Sequence, residues 1–175
     1  MMYEIVNLVA TADLKQPVEL QKISTLEYMI YDQEIYGGRV AYLKTPDTHG
    51  KVTIFPSGKM ISIGSRSPEQ AQEDLNFTAK YLEHASIIKP VKVKAKIRNI
   101  VALLETKHID YLEGFVETHG AIYEPEQFPG AILKLENTTA TYLIFASGKI
   151  IITGTNSIEK LEKAVNLIDT ILSNL

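Results

Sequence analysis

The sequence predicts an α+β chain built as two direct repeats, each running strand, short helix, four strands, long helix. Three observations predict it. A strand block from Tyr36 to Gly64, YGGRVAYLKTPDTHGKVTIFPSGKMISIG, returns as Phe128 to Gly154, FPGAILKLENTTATYLIFASGKIIITG. Both blocks carry the same punctuation: Gly37-Gly38 and Pro129-Gly130 open them, Ser57-Gly58 and Ser147-Gly148 break them, and Gly64 and Gly154 close them. The spacing also holds its register. Asn7 and Asn99 lie 92 positions apart, as do Tyr36 and Phe128, while Phe55 and Phe145, Gly58 and Gly148, and Gly64 and Gly154 lie 90 apart. The drift of two is assigned to the turn Thr45–Gly50, read as longer than its counterpart Glu136–Thr139.

The elements follow in order. Residues 4–12 are an apolar run interrupted by Asn7 and read as a strand. Pro17 suits a first helical position and opens a short helix over 17–25. Residues 28–33 form the next strand, ahead of the strand block. Ser67-Pro68-Glu69-Gln70 supplies an N-cap, a Pro at the first helical position and a Gln three residues on, so a helix runs from there to about Ser86. Its inner face is Ala71, Leu75, Thr78 and Leu82. Ile88–Val91 joins a first repeat, 1–88, to a second, 89–175. Lys92–Leu104 alternates (KVKAKIRN) and then turns apolar, as a long strand does. A helix over 107–116, a strand over 120–124, the strand block and a helix over 157–173 complete the second repeat. That last helix carries the stripe Leu161, Ala164, Val165, Ile168, Ile171 and Leu172.

Composition limits the function classes. The 175 residues are 45% apolar and 22% charged, ordinary for a globular chain. No apolar run reaches the roughly 18 residues of a membrane helix, and MMYEIVNLVA lacks a basic region and cleavage site. The absence of Cys excludes disulfides, thiol chemistry and Cys-based zinc, and fits an intracellular protein. His49, His84, His108 and His119 have no metal-ligand spacing, and neither a P-loop nor a GxGxxG is present, so an enzyme is not expected. The net charge of −3 argues mildly against nucleic-acid binding by bulk charge.

Several strands are apolar at both parities: Ile150-Ile151-Ile152, Tyr142 to Phe145, Val52 to Phe55 and Ile100 to Leu104. Two helices per repeat cover one sheet face and leave the other for a partner, a ligand or the opposite repeat. Strand parity puts Asn7 with Val9, Asn99 with Val101, Thr53 with Phe55, Leu143 with Phe145, Ile61 with Ile63 and Ile151 with Thr153 on that second face. Such a surface is smooth and apolar, with one amide per repeat offering donor and acceptor together.

IVNLVAT, YDQEIYGG, IFPSGKM and SIG, with IRNIVAL, YEPEQFPG, LIFASGK and ITG, resemble the TATA-box-binding proteins, most closely the archaeal members, over about residues 4–173. The resemblance implies a pseudo-twofold saddle of ten antiparallel strands, with four helices on the convex side and the minor groove of AT-rich promoter DNA on the concave side, kinked by apolar wedges. It implies intercalating roles for Tyr36, Phe55, Phe128 and Phe145. Groove contacts fall to Asn7, Val9, Thr53, Ile61, Ile63, Asn99, Val101, Leu143, Ile151 and Thr153, and phosphate contacts to Arg39, Lys59, Arg98, Lys134 and Lys149. It gives Glu124 and Glu126 to transcription factor B, with RNA polymerase an indirect partner. No cofactor or metal is implied. The chain would be monomeric on DNA, with a dimer through the concave face when free, in the cytoplasm or nucleoid of an archaeal cell, or in the nucleus of a eukaryotic one.

Four departures fall in the first repeat: Tyr36 for Phe, Tyr42 at the position matched to Lys134, Ile63 for Thr, and the longer 45–50 turn. That half is therefore expected to bind more weakly or with altered preference. A paralogue of different DNA preference and an apolar small-molecule binder using the same face are the alternatives.

Overall fold

The computed structural model describes residues 2–109 and 112–173. The chain divides into two compact units, Asn7–Arg98 and Met1–Val6 with Asn99–Leu175, called here the first and second units.

In the first unit the strands are β1 (Tyr3–Asp13) from Asn7 onward, β2 (Met29–Ile30), β3 (Ala41–Leu43), β4 (Lys51–Ile54) and β5 (Lys59–Ser65), ordered β2-β3-β4-β5-β1, with every neighbouring pair antiparallel. Residues 17–25 form a tighter turn than expected, a 3-10 helix over Leu20–Thr25, anchored by buried Val18, Leu20 and Ile23. Helix α1, Pro68–His84, starts as the sequence predicts. Ser67 accepts the Gln70 amide, and the Gln70 side chain in turn accepts the Arg66 amide at 2.8 Å. Ala71, Leu75, Thr78 and Leu82 are buried where α1 packs on β4 and β5.

The second unit contains β6 (Lys96–Glu105) from Asn99 onward, β7 (Gly130–Lys134), β8 (Thr141–Phe145) and β9 (Lys149–Thr155), ordered β6-β9-β8-β7 and antiparallel throughout. Helix α2, Leu112–His119, packs on β7, and α3, Ile158–Leu172, on β9. Asp110 and Tyr111, within the helix expected over 107–116, lie outside the described residues. The α3 stripe buries Leu161, Ala164, Val165 and Ile168, leaving Ile171 and Leu172 half-buried.

Three expected strands are shorter. Residues 28–33 contribute only Met29–Ile30, and 120–124 contribute a single bridge, Ile122 to Ile132. Among the described residues there are therefore nine strands where ten were expected. Residues 92–95 are extended but lie outside the sheet. Gln72 of α1 takes their hydrogen bonds, donating to the Val93 carbonyl at 3.1 Å and accepting the Ala95 amide at 2.8 Å.

The length difference between the repeats is not in the turn after β3. Leu43 pairs with Val52, and Leu133 with Tyr142, so both turns have the same length. Ala41 opposes Ile54 as Ala131 opposes Ile144, which moves the two extra residues to 36–40. There Tyr36, Gly37 and Gly38 take left-handed φ of 51°, 62° and 69°. Lys44, not Tyr42, is thereby the counterpart of Lys134. The signal was present in AYLK and AILK, which stand equally far ahead of Phe55 and Phe145.

Gly64 and Gly154 do not close the strand blocks. Each is a bulge within a strand, at φ of 106° and 90°, where the ladder to β1 or β6 slips by one residue. The slip lets Ile63 and Thr153 face one way while Ser65 and Thr155, two residues on, are buried on the other.

Candidate nucleic-acid interface

Burial divides every long strand by parity. Leu8, Ala10, Val52, Ile54, Met60, Ile100, Ala102, Tyr142, Ile144, Ile150 and Ile152 are buried on the helix side. On the other face Asn7, Val9, Phe55, Ile61, Asn99, Val101, Leu143, Phe145, Ile151 and Thr153 are half-exposed, and Ile63 is 40% exposed. Thr53 is the exception. It is buried because Tyr42 and Ile61 oppose it on either side and are larger. Sequence reasoning missed several residues of the open face: Thr11, Tyr42, Leu103, Ile132 and Thr141 on the strands, and Ile30 and Ile122 at the outer edges. Parity counted from the sheet pairing finds all of them. Lys51 shares this face and lies over the Tyr42 ring at 4.5 Å.

The two bulges fix the two asparagines. Asn7 accepts the Gly64 amide at 2.9 Å and Asn99 the Gly154 amide at 2.8 Å, both through Oδ1. Only the carbonyl oxygen can accept an N–H, so the orientation of each side chain is set and its NH₂ group is left to donate. Satisfying a local backbone group and presenting donors are thus two halves of one arrangement. In the second unit, Asn99 Nδ2 also donates to Thr153 Oγ1 at 3.1 Å. Ile63 occupies that place in the first unit and offers Asn7 no such partner.

The aromatic pairs differ. Phe128 and Phe145 meet edge to face with ring centroids 5.6 Å apart. Among the described residues no such ring contact joins Tyr36 to Phe55, and Tyr36 stands 69% exposed.

The cationic residues Arg39, Lys59, Lys134 and Lys149 are all exposed. Arg98 donates through Nε to Thr11 Oγ1 at 2.8 Å, which holds its guanidinium beside the open face of the first unit. Lys44 is committed elsewhere, donating to the carbonyls of Thr48, His49 and Gly50 at 3.1–3.2 Å and stitching its own turn. Glu124 and Glu126 are exposed in the loop before β7. Among the described residues no helix is long and apolar enough to cross a membrane, and no three His, Asp or Glu side chains gather as a metal site.

Each unit thus presents one largely apolar face carrying an oriented amide, and such an uncovered face defines a binding module. The family model for transcription factor TFIID (or TATA-binding protein, TBP) matches residues 2–85 and again 94–175, and the chain belongs to this family. It is 38% identical to the TATA-box-binding protein of Cenarchaeum symbiosum, covering 91% of this chain and 88% of that one. It is 36% identical to the TATA-box-binding protein of Methanopyrus kandleri, covering 94% and 92%. The structure of Methanococcus jannaschii TBP superposes with a TM-score of 0.86 at 28% identity, covering both chains completely.

Proposed function

We propose that the chain is a general transcription initiation factor that binds the minor groove of AT-rich, TATA-box promoter DNA and kinks it. The observation that carries this reading is the pair of locked asparagines. Each side-chain NH₂ presents donors from a largely apolar face, and A·T pairs present only acceptors in the minor groove. The guanine amino group would meet apolar carbon instead. Val9, Ile61, Val101, Leu143 and Ile151 supply the groove floor, with Thr53, Ile63 and Thr153 beside them. Phe128 with Phe145, and Phe55 with Tyr36, act as the wedges that unstack a base step. Arg39, Lys59, Arg98, Lys134 and Lys149 hold phosphates. Glu124 and Glu126 recruit transcription factor B, and RNA polymerase follows through it.

The test is a fluorescence-transfer bending assay on an AT-rich duplex. Phe128→Ala and Phe145→Ala should each abolish the bend while leaving the initial encounter. A bend unchanged in both variants refutes the wedge assignment.

A further inference from the structure

The first unit holds a cluster of cations larger than the assigned phosphate contacts account for. Lys94 and Lys96 join Lys59 and Arg98 around one open groove of about 490 Å³ whose apolar wall includes Phe55. Lys59, Lys94, Lys96 and Arg98 are all exposed, and among the described residues none has a carboxylate partner. Asp13 also lines the groove, and its carboxylate is engaged by the Lys15 amide at 2.7 Å. The backbone under Lys94 is held from both sides by the Gln72 side chain, through Val93 and Ala95. That clamp keeps the segment extended, so Lys94 and Lys96 project alike. A further clamp lies upstream, where Gln16 donates to the Lys89 carbonyl and accepts its amide, both at 2.9 Å. The corresponding positions ahead of Asn7 are Met2, Glu4 and Val6, so this row of charge is not part of the repeat.

We infer that Lys94 and Lys96, with Lys59 and Arg98, form a backbone-phosphate groove for duplex DNA beside Phe55. Four cations within one groove of a chain whose net charge is −3 concentrate positive potential at one place. A cluster of like charges suits a polyanion, and duplex DNA carries a charge about every 1.7 Å of axis. The groove supplies attraction that the overall charge does not. This inference rests on the proposed DNA reading.

The test is salt dependence of binding to an AT-rich duplex for wild type, Lys94→Gln/Lys96→Gln and Lys92→Gln. Each lost phosphate contact lowers the log–log slope by about 0.9, so the double variant should lose about 1.8. Its affinity should be about thirtyfold lower at 0.15 M salt, with the deficit vanishing near 1 M. Lys92 lies in the same segment but outside the groove, so Lys92→Gln should leave the slope as it was. Thermal melts should coincide, since the three lysines are exposed. A wild-type slope in the double variant overturns the groove, as does a slope lowered by Lys92→Gln as much as by either groove lysine. Failure of the wild type to bind AT-rich duplex overturns the DNA reading itself.

Discussion

Gly130 lies directly against Phe145: a methyl group on its α-carbon would stand 3.0 Å from Cε1 of that ring and 2.9 Å from Cε1 of Phe128. The absence of a side chain at this position lets the two rings meet over the end of β7. The strand register places Val40 at the matching point of the first unit, where a bulky β-branched side chain accompanies a Tyr36 that makes no ring contact with Phe55. Gly130→Ala is therefore expected to push the rings apart by a few tenths of an ångström. The loss of stability should be modest, about 1–3 kcal/mol. The DNA bend should shrink by more than the loss of affinity, which fluorescence transfer and a parallel titration can measure together. An undiminished bend would show that the spacing of the rings does not matter.

Asn7 and Asn99 permit an isosteric test of donor polarity. In Asn7→Asp and Asn99→Asp one oxygen can still accept the glycine amide, so folding should change little. The second oxygen now faces the groove acceptors where the donating NH₂ group stood. Each substitution should weaken binding to AT-rich duplex by at least about 2 kcal/mol, close to thirtyfold. Titration of each variant against its own thermal melt separates the two effects. Affinity equal to wild type with a normal melt would remove the asparagines from base recognition.

Much of this arrangement was legible in the residues. Parity alone separated Asn7, Val9, Ile61, Asn99, Val101, Leu143, Ile151 and Thr153 from the buried side, because a strand alternates whatever its partner. That Lys44 and not Tyr42 answers Lys134 was readable from the spacing of AYLK and AILK ahead of Phe55 and Phe145, and the pairing of Ala41 with Ile54 and of Ala131 with Ile144 agrees with it. What parity could not show was pairing. Gly64 and Gly154 read as turn closers because a bulge glycine and a turn glycine share the positive φ, and only the ladder tells them apart. The Gln72 clamp on residues 93–95 had no local signal, since a glutamine on an amphipathic helix ordinarily faces water.

Behind the two bulges the cores differ in residue identity. In the first unit buried Asp74, 1% exposed, accepts the amides of His49 and Gly50 at 2.9 and 2.7 Å and the Ser65 hydroxyl at 3.2 Å. In the second unit the Asp is replaced by Ala164 and the Ser by Thr155, whose Oγ1 is buried with no hydrogen-bond partner among the described residues. Asp74→Ala should destabilise the chain by about 3 kcal/mol or more, because it strands two amides and a hydroxyl. Thr155→Val should be neutral or stabilising by about 1 kcal/mol, because it removes an unmet polar group at nearly constant volume. Denaturant titrations decide both. A Thr155→Val protein that is markedly less stable would mean that the hydroxyl has a partner.

Tyr142 gives the chain a sensitivity to alkali. Its side chain is fully buried on the helix side of β8, and its hydroxyl donates to the Ala164 carbonyl at 3.0 Å. Burial pushes its pKa up from the ordinary 10.0 to about 12. The unfolded chain ionises first, so the neutral phenol contributes its full stability below pH 10, and that contribution is lost as the pH rises through 12. The decline should be at most about 1.4 kcal/mol per pH unit between those limits. Tyr142→Phe should forfeit about 1 kcal/mol at neutral pH with the lost hydrogen bond, and should unfold with a shallower pH dependence between 10 and 12 than wild type. Melting curves across that range compare the two. Parallel curves would assign the alkaline transition to one of the other tyrosines.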